Sequence, residues 1–266
     1  MTERESATAS RQIKSIQTAS EILHEIQSQS EVTLADLCDD IDVAKSTLHT
    51  YLQTLSAEGL IEKSDGAYRL GLQFVPLGES VRNRVDLYQI GKKEVERLAE
   101  ETNEWVHLTV AYRNSEVTLY EHNGGKTVAM DYQRRTRESP QYLHCTATGK
   151  ALLAHFDENR VSDILATEEL VQQTEQTITD PDELREELAE IREGGYAINN
   201  EEEIRGMRSV GAPIQGVDGV VCGAISVTAP KMRLSGRYLN SDLPELVMEA
   251  ANIIEVNLES AATCGK

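Results

Sequence analysis

Between Ile13 and Gly71 the apolar spacing passes once from helical to alternating, and few small folds accommodate that order. Ile16, Ala19, Ile22, Leu23 and Ile26 recur at helical spacing over Ile13–Ile26. A polar break follows, then Thr33-Leu34-Ala35-Asp36, where a Thr with an acid three residues on is the signature of a capping box. That short helix turns Leu34 and Leu37 inward and stops near Asp39-Asp40. Asp42 is the expected N-cap of a longer helix from about Val43 to Ala57, with Leu48, Leu52 and Leu55 as its inner stripe and Gly59 as its stop. Leu60–Lys63 and Ala67–Leu70 read as strands around Ser64-Asp65-Gly66, and Asp-Gly is a strong hairpin signal. Residues 11–75 are therefore expected to form a helix, a helix–turn–helix and a two-stranded wing. A plain three-helix domain is the alternative.

Pro76 and Gly78 punctuate the end of this unit. Helical spacing returns through Val85, Tyr88, Ile90, Val95 and Leu98, which predicts a helix over residues 79–101 connecting two domains. Residues 102–260 then alternate in type. Strands are expected at Trp105–Tyr112, Glu116–Tyr120 and Lys126–Tyr132, with Asn123-Gly124-Gly125 as a turn. Helices are expected at Ala147–Phe156, Glu158–Thr167 and Pro181–Glu193. Further strands fit Tyr196–Asn199, Arg208–Gln215 and Val220–Thr228, and a helix from Leu243 to Leu258 closes the pattern. The fold class is α+β, with a mixed sheet carrying helices on its faces.

The 266 residues hold 45 Asp and Glu against 26 Lys and Arg, a net charge of −19. Charge alone argues against phosphate contact, which ordinarily needs a basic face. The acids are spread over both parts of the chain, however, and the stretch from Ser46 to Gln53 carries none. Uniform acidity of this kind suits a cytoplasm of high salt, where self-repulsion is screened and carboxylates maintain solubility. No apolar run approaches the ~18–20 residues of a membrane span, and the first 20 residues are polar, so a cytoplasmic protein without membrane contact is expected. Cys38, Cys145, Cys222 and Cys264 are scattered without CxxC or zinc-ligand spacing, and no motif requires a cofactor.

In a helix–turn–helix the second helix enters the major groove by its N-terminal residues. With Leu48, Leu52 and Leu55 inward, Lys45, Ser46, Thr47, His49, Thr50 and Gln53 turn outward or to the flanks. Their short donors and acceptors suit phosphates and base edges, and Lys63 and Arg69 of the wing are placed for flanking phosphates or the minor groove. A solvated polar face is the plainer reading of the same letters.

Lys45-Ser46-Thr47-Leu48-His49, Leu52, Leu55, Gly59-Leu60 and Tyr68-Arg69-Leu70-Gly71 resemble the winged helix of the IclR-type transcriptional regulators. Later blocks agree in order: Leu143 to Ala154, Gly195-Tyr196-Ala197, Glu201-Glu202, Gly206, Ala212-Pro213-Ile214 and Ala224-Ile225-Ser226-Val227. The resemblance runs from about Ile13 to Leu258 and departs at Thr50, where the family often has Arg. It implies a GAF-like C-terminal domain that binds a small carboxylate or sugar acid. It further implies a homodimer or homotetramer whose paired winged helices bind a pseudo-palindromic double-stranded DNA operator. It places effector contacts at Asn199, Met207, Ser209, Ser226 and Thr228. Asn199 stands where keto-acid binders tend to carry Asp.

Residue chemistry adds Thr146, Ala147, Thr148 and Gly149, where a strand-like segment meets a helix and backbone N–H groups are free for an anion. Gly149 equally suits a plain turn, and Lys150 is expected to face water or an acid. Enzyme readings find weaker letters. Gly125-Lys126-Thr127 lacks the leading Gly of a phosphate loop. Cys145 beside His144 would need a second His, from His107, His122 or His155, to act as a nucleophile. A catalytic C-terminal domain and an acidic protein-docking module are the rivals to a regulator.

Overall fold

The computed structural model describes residues 12–125 and 141–264, which divide into two compact units, Met1–Ser80 and Val81–Lys266. The strand expected at Lys126–Tyr132 lies outside the described residues.

The first unit contains α1 (Lys14–Gln29), β1 (Val32–Thr33), α2 (Leu34–Asp40), α3 (Lys45–Ala57), β2 (Ile61–Ser64) and β3 (Ala67–Leu70). Thr33 caps α2 as its spacing predicts: the hydroxyl accepts from Asp36 N at 3.3 Å, and the Asp36 carboxylate accepts from Thr33 N at 2.8 Å. Ile22 and Ile26 of α1, Leu37 of α2, Leu48, Leu52 and Leu55 of α3, and Ile61 and Tyr68 of the wing form one buried core. The wing turns on Asp65 and Gly66, both at positive φ, which glycine adopts without cost in a two-residue hairpin. Two features depart from expectation. The two-residue β1 pairs antiparallel with β3 through Val32 and Tyr68, so the sheet has three strands in the order β1-β3-β2. Helix α3 starts later than Asp42 would place it. Ala44 supplies the first helical carbonyl, accepting from Leu48 N at 2.9 Å, and no side chain caps that end.

Helix α4 spans Phe74–Asn83 and α5 spans Asp86–Thr102. The single connecting helix expected over residues 79–101 is therefore two helices, and α5 belongs to the second unit. Its Leu87, Val95, Leu98 and Ala99 lie in that unit's largest apolar core, because its apolar stripe is wide enough to cover a sheet face.

The second unit continues with β4 (Trp105–Tyr112), β5 (Ser115–Asn123), β6 (Gln141–Tyr142), α6 (Ala147–His155), α7 (Glu158–Thr167), α8 (Pro181–Gly194), β7 (Ala197–Asn200), β8 (Met207–Gln215), β9 (Val221–Pro230) and α9 (Leu243–Cys264). A π-helical turn at Tyr238–Asp242 leads into α9. The six strands lie in the order β6-β5-β4-β9-β8-β7, and each described pairing is antiparallel. The sheet expected to be mixed is thus antiparallel, since β4–β5, β7–β8 and β8–β9 are successive neighbours and the β4–β9 junction runs the same way. Arg113 and Asn114, both at positive φ, turn β4 into β5 without a glycine.

Alternation along the strands divides the sheet into two chemistries. Val106, Leu108, Val210, Ile225 and Val227 pack with Leu98, Val247, Ala250 and Ile254 in the core that contains α5 and α9 residues. Leu152, Leu153, Leu184, Leu188 and Ile191 of α6 and α8 form a second core with Ala197 and Ala224. The intervening strand positions near the N-terminus of α6 are polar. They form the candidate site.

Candidate functional site

Strand register places Asn199, Ser209, Thr228 and Trp105 in one row across β7, β8, β9 and β4, and Gly211, Ser226, His107 and Glu121 in the next. These rows alternate with the apolar positions, so one sheet face is a buried polar floor. His107, Ser209, Ser226 and Thr228 are each less than 8% exposed. Helix α6 begins above this floor. Gly211 permits the approach: a Cβ there would lie 2.9 Å from Ala147 O and 3.0 Å from Thr148 N.

A small cavity, open at its mouth, lies between floor and helix. Of the effector contacts expected from sequence, it gathers Thr146, Ala147, Thr148, Ser209, Ser226 and Thr228. Gly149, Asn199 and Met207 are not part of its wall. Gly149 N donates to Thr146 Oγ1 at 2.9 Å, capping α6, and a Cβ at Gly149 would collide with Leu143 O. Asn199 is buried, accepts from Glu202 N at 2.9 Å through its Oδ1 and donates from Nδ2 to Glu203 Oε2 at 3.4 Å, so it holds the turn after β7 and touches the cavity wall through Glu203. Met207 pairs with Pro230 at the start of β8, one row outside Ser209 and Thr228.

His107, Glu116, Thr118, Gln141 and Glu203 complete the wall. Only a polar letter inside an apolar strand could have flagged them, and His107 alone has that form, since β5 around Glu116 and Thr118 is mostly polar. Glu116 of β5 lies over the first turn of α6, where its carboxylate accepts from Thr146 Oγ1 at 2.5 Å and Thr148 Oγ1 at 2.7 Å. Burial raises its pKa, against the two hydroxyl bonds that lower it. The two hydroxyls beside the first N–H groups of α6 are therefore engaged by the chain's own carboxylate. His107 Nδ1 stands 3.5 Å from Glu121 Oε2, while its Nε2 is buried without a partner.

Of the two partners expected for Lys150, water and an acid, it takes acids, and it does so inside the fold rather than at the surface. It is fully buried, with Nζ 2.8 Å from Glu187 Oε1 and 2.9 Å from Glu202 Oε1. Glu202 also accepts from Asn200 N at 3.0 Å, so the lysine anchors the turn that carries Asn199 and Glu203. The thiol nucleophile finds no support. Cys145 Sγ lies 3.7 Å from Tyr142 O, burial drives its pKa far upward, and His144 Nε2 is engaged 3.1 Å from Val171 O. Among the described residues no group of three or more His, Cys, Asp or Glu is placed to hold a metal ion.

In the first unit, Lys45, Ser46, Thr47, His49, Thr50 and Gln53 are all exposed along α3, opposite its buried leucines. Lys45, Ser46 and Thr47 occupy the first turn, where helix N–H groups and the positive end of the dipole favour phosphate. Thr50 Oγ1 donates to Ser46 O at 3.1 Å, so the hydroxyl is partly committed to its own helix. On the wing, Lys63 Nζ stands 5.1 Å from the Tyr68 ring centroid and Arg69 Nε 3.3 Å from Glu31 Oε1. Both cations remain exposed.

Residues 15–65 match the IclR helix-turn-helix domain, and residues 79–256 match the bacterial transcriptional regulator IclR C-terminal domain. The chain is 44% identical over 252 residues to the probable HTH-type transcriptional regulator ArcR of Halobacterium salinarum, covering 94% of this chain and 96% of that protein. The Thermotoga maritima IclR crystal structure aligns with a TM-score of 0.71 at 26% identity, covering 93% of this chain and all of that one. An IclR homologue from Microbacterium hydrocarbonoxydans, solved with 4-hydroxybenzoate, has the same fold, with a TM-score of 0.72 at 24% identity over 90% of this chain and 99% of that one. The chain belongs to the IclR family of DNA-binding transcriptional regulators, whose members join a helix-turn-helix to a C-terminal effector domain.

Proposed function

We propose that this regulator binds a small carboxylate or sugar acid in the cavity over the polar sheet face, and that binding alters its hold on a pseudo-palindromic operator. The observation that carries the reading is the buried polar floor itself. An antiparallel sheet that packs apolar residues on one face has no structural need for His107, Ser226, Ser209 and Thr228 on the other, and burying them is costly unless they are used. The 4-hydroxybenzoate of the Microbacterium homologue supports the ligand class. Winged helices act on symmetric half-sites in pairs, so the working form is a homodimer or homotetramer. Base and phosphate contacts fall to Lys45, Ser46, Thr47, His49, Thr50 and Gln53, with Lys63 and Arg69 on flanking phosphates. Ligand alters DNA binding by favouring one of two arrangements of the heads, with the segment Val81–Glu101 as the lever.

The protein works in the cytoplasm; no helix among the described residues is long and apolar enough to cross a membrane. Its −19 charge and its likeness to a Halobacterium salinarum protein support a saline cytoplasm. Mobility shift on DNA upstream of the protein's own gene, across a salt series and with a panel of small acids, tests the whole reading. Specific retardation that an acid changes is the expected result. Calorimetry in which no small carboxylate, sugar acid or aromatic acid binds would remove the ligand class, and absence of specific retardation would remove the operator.

A further inference from the structure

Thr146 and Thr148 place two hydroxyl donors at the first turn of α6, on the positive end of the helix dipole. Both donate to one carboxylate, that of Glu116, which reaches them from β5, and Glu116 is only 5% exposed. The arrangement is an anion site in all but its occupant, which belongs to the chain. Beside it, His107 Nε2 is buried, lines the same cavity and has no hydrogen-bond partner among the described residues, so the site holds a polar atom that they do not satisfy. A buried carboxylate is expensive to keep ionised, and packing alone gives no reason to hold one here.

We propose that Glu116 is a built-in stand-in for the effector's carboxylate: it fills the cradle of Thr146, Thr148 and the α6 N-terminus, and an incoming carboxylate takes that place by expelling it. The inference rests on the carboxylate reading above and deepens it. Two carboxyl groups do not share one cradle, because each needs the same two hydroxyl donors, and Glu116 already takes both. The effector therefore meets a tethered competitor, and its apparent affinity falls by the fraction of time the cradle is open. Glu116 thus sets the concentration at which the regulator responds.

Full-length protein at constant ionic strength, as wild type, E116A and E116Q, tests the proposal by thermal melting with acetate. In E116A, acetate replaces the missing group, and its melting temperature rises by roughly 3–6 °C at saturating ligand, whereas acetamide and added chloride leave it unchanged. Wild type shows no such rise. Equal acetate shifts in wild type and E116A, or none in either, overturn the proposal. If E116A does not fold, E116Q keeps the side-chain volume and one acceptor while removing the charge. Calorimetry with pyruvate and 4-hydroxybenzoate should then show E116Q binding at least one of them about tenfold or more tightly than wild type, because an amide offers the two hydroxyls one acceptor in place of two and yields the cradle more readily. Affinities no higher in E116Q overturn it. Rescue of E116A by acetate without binding of the larger acids by any form keeps the stand-in and removes the proposed ligand class. Equally tight binding by all three forms does the reverse.

Discussion

Replacing Lys150 with Met tests how the second unit holds its site. Met matches the length and volume of the lysine stem, so packing is kept and only the charge and its donors are lost. In the wild type, Lys150 Nζ lies 2.8 Å from Glu187 Oε1 and 2.9 Å from Glu202 Oε1, with no exposed surface on the lysine. The two partners differ in what they lose. Glu187 keeps 31% of its side chain exposed and water takes over, so its share is about 0–1 kcal/mol. Glu202 keeps 7%, and stranding a buried charge costs about 3–5 kcal/mol. For a unit the size of Val81–Lys266, that predicts a melting temperature lower by roughly 6–20 °C.

The sign with pH follows from Glu202. Burial raises its carboxyl pKa, and Lys150 is what pulls it back down. Without the lysine the folded-state pKa rises further. A raised acid favours the folded state below its unfolded value and loses that advantage as pH rises through the folded one. The deficit of K150M against wild type is therefore largest at neutral pH and shrinks on acidification. K150M/E202Q recovers much of it, because no charge is stranded. Circular-dichroism melts at pH 5 and pH 8 in fixed molar salt decide the matter. A K150M drop of under ~2 °C at pH 8 refutes the reasoning, since the smallest loss worked above exceeds it. So does a deficit equal at both pH values.

Three further outcomes are expected. G211V pushes a side chain into Ala147 O and Thr148 N, lowering stability by about 1–3 kcal/mol in denaturant titrations and displacing the start of α6 from the cavity; unchanged unfolding midpoints would show that the contact yields freely. T33A removes the α2 cap, which hydrogen exchange reads as faster opening of α2 amides; in the wild type the Thr33 bonds hold the Asp36 carboxyl below its usual range, so this protection persists above that range and fades as pH falls through the lowered value. Dialysis to low ionic strength should unfold the wild type progressively, as repulsion among 45 acidic side chains loses its screening, and full stability there would contradict adaptation to salt.

Signals that act over a few residues were legible in the sequence. The Thr33–Asp36 box, the Asp65-Gly66 turn, the α3 stripe and Glu158–Thr167 need only neighbours three or four positions away. Where local letters competed, the reading slipped. Asp42 is a good capping residue, but Ala44 supplies the first carbonyl of α3. The hydrophobic stripe of α5 is the same whether it faces solvent-spanning partners or a sheet, and only the fold shows Leu87, Val95 and Leu98 inside a core. His107 was visible as a polar letter in an apolar strand, and the pleat places it on the face opposite Val106 and Leu108. What it faces there depends on register.

The chain by itself determined the order of elements and their caps and turns, most of the cavity's β8–β9 and α6 residues, and, through its motifs, the family. Tertiary structure alone decided who meets whom across long separations: Val32 with Tyr68, Glu116 with Thr146 and Thr148, and Lys150 with Glu187 and Glu202. A carboxylate in a strand and a lysine in a helix look like solvent-facing residues until pairing register and helix packing remove the water around them. Their burial follows from how sheet and helices close on one another, and no short-range pattern in the sequence encodes that closure.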